Sequence, residues 1–171
     1  GVKKIIYASS SSTHGINGEL QSPYAISKYT NELYAKNFSK LYDIKTIGLR
    51  YFNVFGARQT SNSPYSAVIP KWVDRIKSNK AVEINGNGMT SRDFTYIKNV
   101  VKANMLAIEN STIKSGVYDI GCGESTTLDD LYEHMKQIIS PLGTSLRVYK
   151  DDRPGDIRHS QAKIESAQRE L

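Results

Sequence analysis

The sequence contains a single cysteine and no long apolar run, and each absence narrows the class of protein. Cys122 is the only cysteine among 171 residues, so no disulfide can form within the chain. A lone thiol is typical of proteins in a reducing compartment, and we expect a cytoplasmic protein. No apolar run approaches the roughly 20 residues that a membrane-spanning helix needs, so we expect no membrane partner.

Patterns that bind metals or support serine hydrolysis are also missing. His14, His134, His159 and Cys122 do not have the spacing of metal ligands, and we predict no metal site. The Gly-x-Ser-x-Gly motif of the α/β-hydrolases does not occur. Any chemistry must therefore come from other side chains.

The excess of basic over acidic residues is small and dispersed. Lys and Arg number 23 against 17 Asp and Glu, a net charge of +6, and no five like charges are consecutive. This excess suits an anionic ligand such as a diphosphate. Nucleic acid is disfavoured as a partner, because no basic stripe is interleaved with aromatic residues.

Short apolar runs alternate with longer periodic ones, which predicts an α/β fold with a mostly parallel sheet. The predicted strands cover residues 2–8, 46–51, 82–84, 94–97, 117–120 and 146–149. The predicted helices cover residues 23–41, 68–77, 99–109, 128–139 and the stretch from residue 161 onward. Residues 59–64 and 151–156 are polar and are predicted to be loops.

Tyr24 and Lys28 lie four residues apart in the first predicted helix, so their side chains share one face. Tyrosine ordinarily keeps its proton until about pH 10 and is a poor base at neutral pH. A positive charge about 4 Å away stabilises a phenolate by roughly 4 kcal/mol at an effective dielectric constant of 20. The pair is therefore a candidate acid/base group, although Tyr132 and Lys136 share its spacing.

The serine-rich run at residues 9–15 distinguishes the first pair from the second. It follows a predicted strand, and ligands of open α/β sheets bind beyond the carboxyl ends of strands. A serine hydroxyl at that place can relay a proton between a tyrosine and a substrate alcohol. The alternative is a turn whose serines satisfy only their own backbone.

These two segments, together with four others, resemble the extended short-chain dehydrogenase/reductase family, in particular its NAD-dependent nucleotide-sugar 4-epimerases. The matching segments occur in the family's order and span nearly the whole chain. They are SSSSTHG at 9–15, SPYAISK at 22–28, LRYFNVFG at 49–56, AVIP at 67–70, TSRDFTYI at 90–97 and RPGD at 153–156.

The resemblance implies a role for each matching residue. Tyr24 is the acid/base, Lys28 favours its phenolate and holds the nicotinamide ribose, and Ser10 is the proton-relay hydroxyl. The implied cofactor is NAD, and the residues implied to bind it are Ser9, Tyr24, Lys28, Tyr51 and Phe52.

The implied substrate is a UDP-sugar. Ser12 is expected beside the hexose and Asn53 beside the diphosphate. Val68 and Ile69 are expected on the nucleotide side, and the expected contacts of the diphosphate and uridine ribose are Arg92, Arg153 and Asp156. Arginine suits bidentate phosphate recognition.

The implied reaction is epimerisation at C4 through a transient 4-keto sugar, with NAD⁺ retained between two opposite hydride transfers. The closest resemblance is to bacterial UDP-N-acetylhexosamine and UDP-hexuronate 4-epimerases of surface-polysaccharide synthesis. A nucleotide-sugar 4,6-dehydratase or another extended short-chain dehydrogenase is the alternative within the family, but Ser11 and Ser12 stand where dehydratases carry carboxylates. The alternative of another class is a non-catalytic nucleotide-sugar-binding or dimerisation fragment.

The resemblance also implies a fold and an assembly. We expect the C-terminal part of a Rossmann-type doubly wound parallel sheet plus a smaller α/β substrate-binding lobe. Residues 1–60 are expected to form the incomplete catalytic half of the NAD-binding domain. Residues 61–171 are expected to form mainly the nucleotide-sugar lobe, with elements that return to the Rossmann sheet. A homodimer is expected through the helix that carries Tyr24 and Lys28.

Three features depart from the family. No Gly-x-x-Gly-x-x-Gly loop is present, so we expect the chain by itself to bind NAD poorly. Gly15 and Ser22 are closer together than the family's loop usually allows. His14 stands where the family usually has tyrosine.

The segment VYDIGCGE at residues 117–124 offers a rival interpretation, because it is similar to the first motif of S-adenosylmethionine methyltransferases. Thr126, however, stands where a dinucleotide loop has a third small residue. Fewer than fifty residues follow, too few for the rest of a methyltransferase sheet. A tight turn before a helix capped by Thr127, with Asp130 completing a capping box, explains the segment better.

Overall fold

The computed structural model describes residues 1–62, 67–152 and 156–171. The helices are α1 Pro23–Tyr42, α2 Val68–Lys77, α3 Ile97–Glu109, α4 Leu128–Ile139 and α5 Glu165–Glu170, with a short 3₁₀ helix at Ser11–His14. The strands are β1 Lys4–Ser10, β2 Lys45–Tyr51, β3 Val54–Phe55, β4 Val82–Asn85, β5 Ser91–Arg92, β6 Thr95–Tyr96, β7 Gly116–Ile120, β8 Thr126–Thr127, β9 Arg147–Lys150 and β10 His159–Ser160.

The described residues form two compact units. The first unit contains residues 1–54, 93–124 and 160–171, and the second contains residues 55–92 and 125–159. The first unit therefore receives β7, α3 and α5 from the later part of the chain.

A three-stranded parallel sheet with the order β1-β2-β7 is the centre of the first unit. Its helices connect parallel strands, as in a Rossmann-type fold. The register aligns Ser9 of β1 with Arg50 of β2, and Arg50 with Asp119 of β7. Three polar side chains thus form a row near the carboxyl ends of adjacent strands. The prediction of an α/β fold with a parallel sheet is confirmed.

The two faces of this sheet differ because successive side chains of a strand point to opposite sides. On one face, Ile47 and Leu49 of β2 belong to a buried cluster with Ala103 and Ala107 of α3. The opposite face of β2 carries Thr46, whose hydroxyl donates to the carbonyl of Ala35 in α1. The face toward α1 is therefore polar, and the face toward α3 is apolar.

Helix α1 begins and ends on strong local signals. The Ser22 hydroxyl accepts a hydrogen bond from the amide of Ala25 at 3.1 Å, and Pro23 occupies the first helical position. Asp43 ends the helix in the left-handed conformation, with φ of 50°. The predicted helix at residues 23–41 is confirmed to within one residue.

The second unit contains a small parallel pair, β4 and β9, and an antiparallel pair, β5 and β8. Helices α2 and α4 meet through the rings of Trp72 and Tyr132, whose centroids are 6.5 Å apart in an edge-to-face arrangement. Val82 and Ile84 of β4 are fully buried. Every second residue of β4 therefore faces the interior of this unit and contributes an apolar side chain to it.

Some predicted bounds were wrong. The first strand covers Lys4–Ser10, whereas residues 2–8 were predicted, so it also includes Ser9 and Ser10. The last helix begins at Glu165 and not at residue 161, because the backbone before it is already hydrogen-bonded elsewhere. The amides of Ala162 and Lys163 donate to the carboxylates of Asp93 and Asp119.

No helix of the described residues is long and apolar enough to cross a membrane.

Candidate active site

Ser10 ends β1 and caps the short 3₁₀ helix that follows it. Its hydroxyl oxygen accepts hydrogen bonds from the Ser12 amide at 3.2 Å and from the Ser12 hydroxyl at 3.0 Å. The Thr13 hydroxyl donates to the Ser10 carbonyl at 2.8 Å. Because a hydroxyl accepts two hydrogen bonds and donates one, Ser10 keeps its own proton for a further acceptor.

Tyr24 and Lys28 lie one turn apart near the start of α1. The Lys28 ammonium is 5.7 Å from the centroid of the Tyr24 ring and donates to the Ala8 carbonyl of β1 at 3.1 Å. Tyr24 is 55% exposed. The structure therefore brings the two residues together, ties Lys28 to the strand that leads into Ser10, and leaves the phenol accessible.

Tyr132 and Lys136 have the same spacing and a similar contact, with the ammonium 6.0 Å from the ring centroid. Tyr132, however, is only 3% exposed, and its hydroxyl donates to the Ser145 carbonyl at 2.7 Å. This phenol is a structural donor with no access to a ligand. Exposure separates the two pairs where spacing cannot.

Ser9, predicted to bind cofactor, is buried, and its hydroxyl donates to the Glu32 carboxylate of α1. Arg50 donates two hydrogen bonds to the same carboxylate, from Nε to Oε1 at 2.8 Å and from Nη2 to Oε2 at 2.6 Å. Burial raises the pKa of Glu32, but the hydrogen bonds from Arg50 and Ser9 outweigh it and hold that pKa below its usual value. The ion pair with Glu32 raises the pKa of Arg50. This partly buried ion pair fixes α1 to the sheet one helical turn beyond Lys28.

Asp119 extends this polar row to β7. Its two carboxylate oxygens lie 3.0 and 2.9 Å from Nε2 of His14, and Arg50 Nη1 lies 3.8 Å from it. The His14 ring is 5.9 Å from the ring of Phe52. His14 therefore connects the end of the serine turn with the sheet.

The residues after β2 occupy different surroundings. The Tyr51 hydroxyl and the Asn104 side chain of α3 are hydrogen-bonded, and Tyr51 packs against the apolar cluster of that face. Phe52 is buried. Asn53 has a φ of 25°, and its side-chain amide donates to the Asp93 carbonyl at 3.2 Å. The predicted cofactor contacts of Tyr51 and Phe52, and the substrate contact of Asn53, stay predictions.

Asp93 is fully buried and organises the Gly-Cys-Gly turn after β7. Its carboxylate accepts hydrogen bonds from the amides of Cys122 at 2.8 Å and Gly123 at 2.9 Å. A Cβ on Gly121 would lie 2.6 Å from the same carboxylate, so only glycine allows this approach. The glycines thus serve packing of the turn, which supports the structural interpretation of this segment over the methyltransferase one.

The predicted cap of the following helix by Thr127 is confirmed, but the Asp130 carboxylate pairs with the Thr127 hydroxyl, whereas in a capping box it would accept the backbone amide. The Thr127 hydroxyl accepts a hydrogen bond from the Asp130 amide at 3.0 Å and donates to the Asp130 carboxylate at 2.6 Å.

The second unit holds the remaining predicted substrate residues. Val68 and Ile69 form the first turn of α2 and are half-buried. Arg92 and Asp156 form an ion pair at 2.6 Å. Burial lowers the pKa of Arg92, and the Asp156 carboxylate opposes this shift. Arg153 lies outside the described residues.

Within residues 1–62, 67–152 and 156–171, no group of three or more His, Cys, Asp or Glu side chains is arranged to hold a metal ion.

The model of the NAD dependent epimerase/dehydratase family matches residues 1–121. The chain belongs to this family.

Solved structures of family members superpose closely. The UDP-N-acetylglucosamine 4-epimerase of Methanobrevibacter ruminantium, in complex with UDP-N-acetylmuramic acid, is 40% identical with a TM-score of 0.89, over 97% of this chain and 56% of that one. The UDP-glucuronic acid 4-epimerase of Bacillus cereus, in complex with UDP-glucuronic acid and NAD, is 26% identical with a TM-score of 0.87, over 98% and 55%.

A curated relative, UDP-glucuronate 4-epimerase 3 of Arabidopsis thaliana, is 28% identical over 98% of this chain and 44% of its own length. The chain thus spans about half the length of the relatives it matches.

Sequence reasoning missed four charged residues that build the site: Glu32, Arg50, Asp93 and Asp119. Glu32 lies four residues after Lys28, on the same face of the helix, which is a usable signal for a residue that faces the sheet. Arg50 and Asp93 lie inside segments that match the family, but their partners come from distant parts of the chain. Asp119 was considered only as part of the glycine-containing turn.

Proposed function

We propose that the polypeptide containing this chain is an NAD-dependent epimerase that inverts C4 of a UDP-sugar through a transient 4-keto sugar. The observation that carries the proposal is the exposed phenol of Tyr24, paired with Lys28 and tied to the strand that ends in Ser10. The 4-epimerases among the structural neighbours support it.

The residues at this site fit a nicotinamide ribose. Lys28 has three N–H donors and gives one to the Ala8 carbonyl, which leaves two for ribose hydroxyls. Lys28, Tyr24 and Ser10 would border the nicotinamide end of the cofactor, with Tyr51 and Phe52 near it. When bound, NAD accepts a hydride from the sugar carbon and later returns it.

The chain's own groups would handle the proton. Tyr24, favoured as a phenolate by the Lys28 ammonium, accepts the proton of the sugar 4-hydroxyl, directly or through Ser10. In this relay the Ser10 oxygen accepts the sugar proton while its own proton passes to Tyr24, so the Ser12 hydroxyl must first release its hydrogen bond to Ser10. In the second half of the reaction, Tyr24 returns the proton to the 4-oxygen.

The substrate contacts are assigned residue by residue. Ser12 would contact the hexose, and Asn53 the diphosphate. In the second unit, Arg92 is the principal candidate for the diphosphate, because a guanidinium offers paired donors to phosphate oxygens. The nearby Asp156 carboxylate orients that guanidinium. The further assigned contacts are Arg153, Val68 and Ile69.

A 4,6-dehydratase is the weaker proposal, because elimination of water needs a carboxylic acid and a base beside the relay hydroxyl. Ser11 and Ser12 occupy those positions and supply neither. The sugar in this proposal is an N-acetylhexosamine, a hexuronic acid or glucose, in a pathway of surface-polysaccharide synthesis.

We also propose a homodimer through α1. Its exposed apolar side chains Ile26, Tyr29, Leu33 and Phe38 lie along the helix and suit packing against a second copy.

A panel assay tests the function. The polypeptide that contains this chain is supplied with NAD and with UDP-N-acetylglucosamine, UDP-glucose or UDP-glucuronic acid, and the 4-epimer is followed by chromatography. We expect conversion of at least one sugar, a loss of about 10³-fold or more in kcat for Tyr24→Phe, and no loss for Tyr34→Phe, an exposed tyrosine of the same helix. Full activity of Tyr24→Phe would refute the mechanism. Sugar binding without turnover by the wild-type polypeptide would favour the non-catalytic alternative.

A further inference from the structure

His14 is the last residue of the 3₁₀ helix that presents Ser10 and Ser12, and the proposed function gives it no part. Its Nε2 lies 3.0 and 2.9 Å from the two oxygens of Asp119. The contact is asymmetric in exposure, since the His14 side chain is 42% exposed and that of Asp119 only 7%. A buried carboxylate requires hydrogen-bond donors, so the partners of Asp119 are fixed in place.

Asp119 is the junction of a continuous polar chain in the first unit. It accepts a hydrogen bond from the Lys163 amide at 3.3 Å and lies 3.8 Å from Arg50. Arg50 in turn holds Glu32 of α1 at two points. The serine turn and the catalytic helix are thereby fastened to the same row of the sheet, the turn through His14 and the helix through Glu32.

We propose that His14 is a positioning residue, whose hydrogen bond to Asp119 fixes the serine turn so that the Ser10 hydroxyl stays aimed at the sugar oxygen. The assignment rests on the proposed function. The turn has Ser10 at one end, continuous with β1, and His14 at the other. Thr13 between them is buried, and the contact to Asp119 ties the His14 end of the turn to β7. Displacement of a relay group by about 1 Å costs rate without loss of substrate affinity.

Two variants distinguish the effect of losing the His14 hydrogen-bond donor from the effect of losing its aromatic ring. His14→Phe keeps a ring near Phe52 and loses the N–H donor, whereas His14→Gln keeps a donor of similar reach and loses the ring. In the polypeptide that contains this chain, we expect His14→Phe to lower kcat about tenfold with KM unchanged within about twofold. His14→Gln is expected to recover most of kcat. Urea unfolding of each variant determines the folded fraction under assay conditions.

Asp119→Asn then tests the route of the effect. If His14 acts through Asp119, the double variant His14→Phe/Asp119→Asn is no slower than Asp119→Asn alone. Losses that multiply would overturn the assignment.

Three other results would overturn it as well. These are wild-type kcat for His14→Phe, equal losses for His14→Phe and His14→Gln, and a fall in rate that only matches the unfolded fraction. All three need an active wild-type enzyme. A wild-type polypeptide inactive on every sugar refutes the proposed function itself, and the assignment with it, so the two failures are distinguishable.

Discussion

The carboxylate of Asp93 holds the backbone amide of Cys122 at 2.8 Å, with no exposure of Asp93 to solvent. The same carboxylate also accepts the amides of Gly123 and Ala162, so one side chain joins two segments that are distant in sequence. A turn built in this way is fixed by an internal acceptor. Its glycines allow close approach and are not a cradle for an external nucleotide.

Replacing Asp93 by Asn is expected to lower the free energy of unfolding by about 2 kcal/mol, since charge-assisted hydrogen bonds to backbone amides are lost. Urea unfolding measures the change. Glu124→Gln in the same exposed turn is the matched control and should leave stability within about 0.5 kcal/mol of wild type. Equal effects of the two substitutions would show that the carboxylate of Asp93 does not organise the turn.

Glu32 gives the protein an acid-sensitive component of stability. Its pKa lies below the usual 4.5 in the folded protein, so folding favours the carboxylate. That stabilisation is fully present above pH 4.5 and is lost as the pH falls through the lowered folded value. We expect Glu32→Gln to be less stable than wild type by about 2 kcal/mol at pH 7, and the difference to shrink steadily at pH values below 4.5.

Unfolding curves at several pH values test this, with the exposed Glu133→Gln as control. A wild-type advantage over Glu32→Gln that stays constant from pH 7 down to pH 3 would contradict the assigned ion pair.

The Ser22 cap sets the start of the helix on which Tyr24 lies. Ser22→Ala removes the acceptor for the Ala25 amide and is expected to cost about 1 kcal/mol of stability. Fraying of the first turn should lower kcat more than it changes KM. Ser22→Asp retains a capping oxygen and should restore both the stability and kcat. The idea fails if the alanine variant has the wild-type kcat.

Arg92 is expected to act in binding and not in the chemical step. Arg92→Lys keeps the charge but loses the paired donors, so KM for the UDP-sugar should rise about tenfold while kcat stays within about twofold. Arg147→Lys is a matched control, because Arg147 is also in the second unit and pairs with acidic side chains of α4. Steady-state kinetics of the two variants side by side decide the point. Equal KM values for both would remove Arg92 from the substrate site.

The sequence was sufficient for the features that depend on local chemistry. Helix α1 could be predicted almost to the residue, because Ser22 and Pro23 mark its start. The Thr127 cap of α4 was also predictable, since Thr127 and Asp130 lie within one turn.

Features that depend on distant partners could not be predicted. The row of Ser9, Arg50 and Asp119 exists only because the register of three strands aligns those positions. Strands of two residues, such as β5 and β8, depend on the partner segment and have no periodicity of their own. The pairs Tyr24–Lys28 and Tyr132–Lys136 could not be separated by spacing, because burial of Tyr132 comes from its packing in the second unit.

Inversion at C4 by oxidation and reduction at the same carbon determines where hydrogen isotopes from the solvent can enter the product. The polypeptide that contains this chain converts its UDP-sugar in D₂O, and the product is analysed by proton NMR and mass spectrometry. We predict a 4-epimer that keeps ordinary hydrogen at C4 and C5, because the hydrogen removed from C4 does not pass through water while Tyr24 exchanges only the hydroxyl proton. Deuterium at C5 with loss of water would instead indicate elimination, and deuterium at C4 would contradict direct return of the hydride.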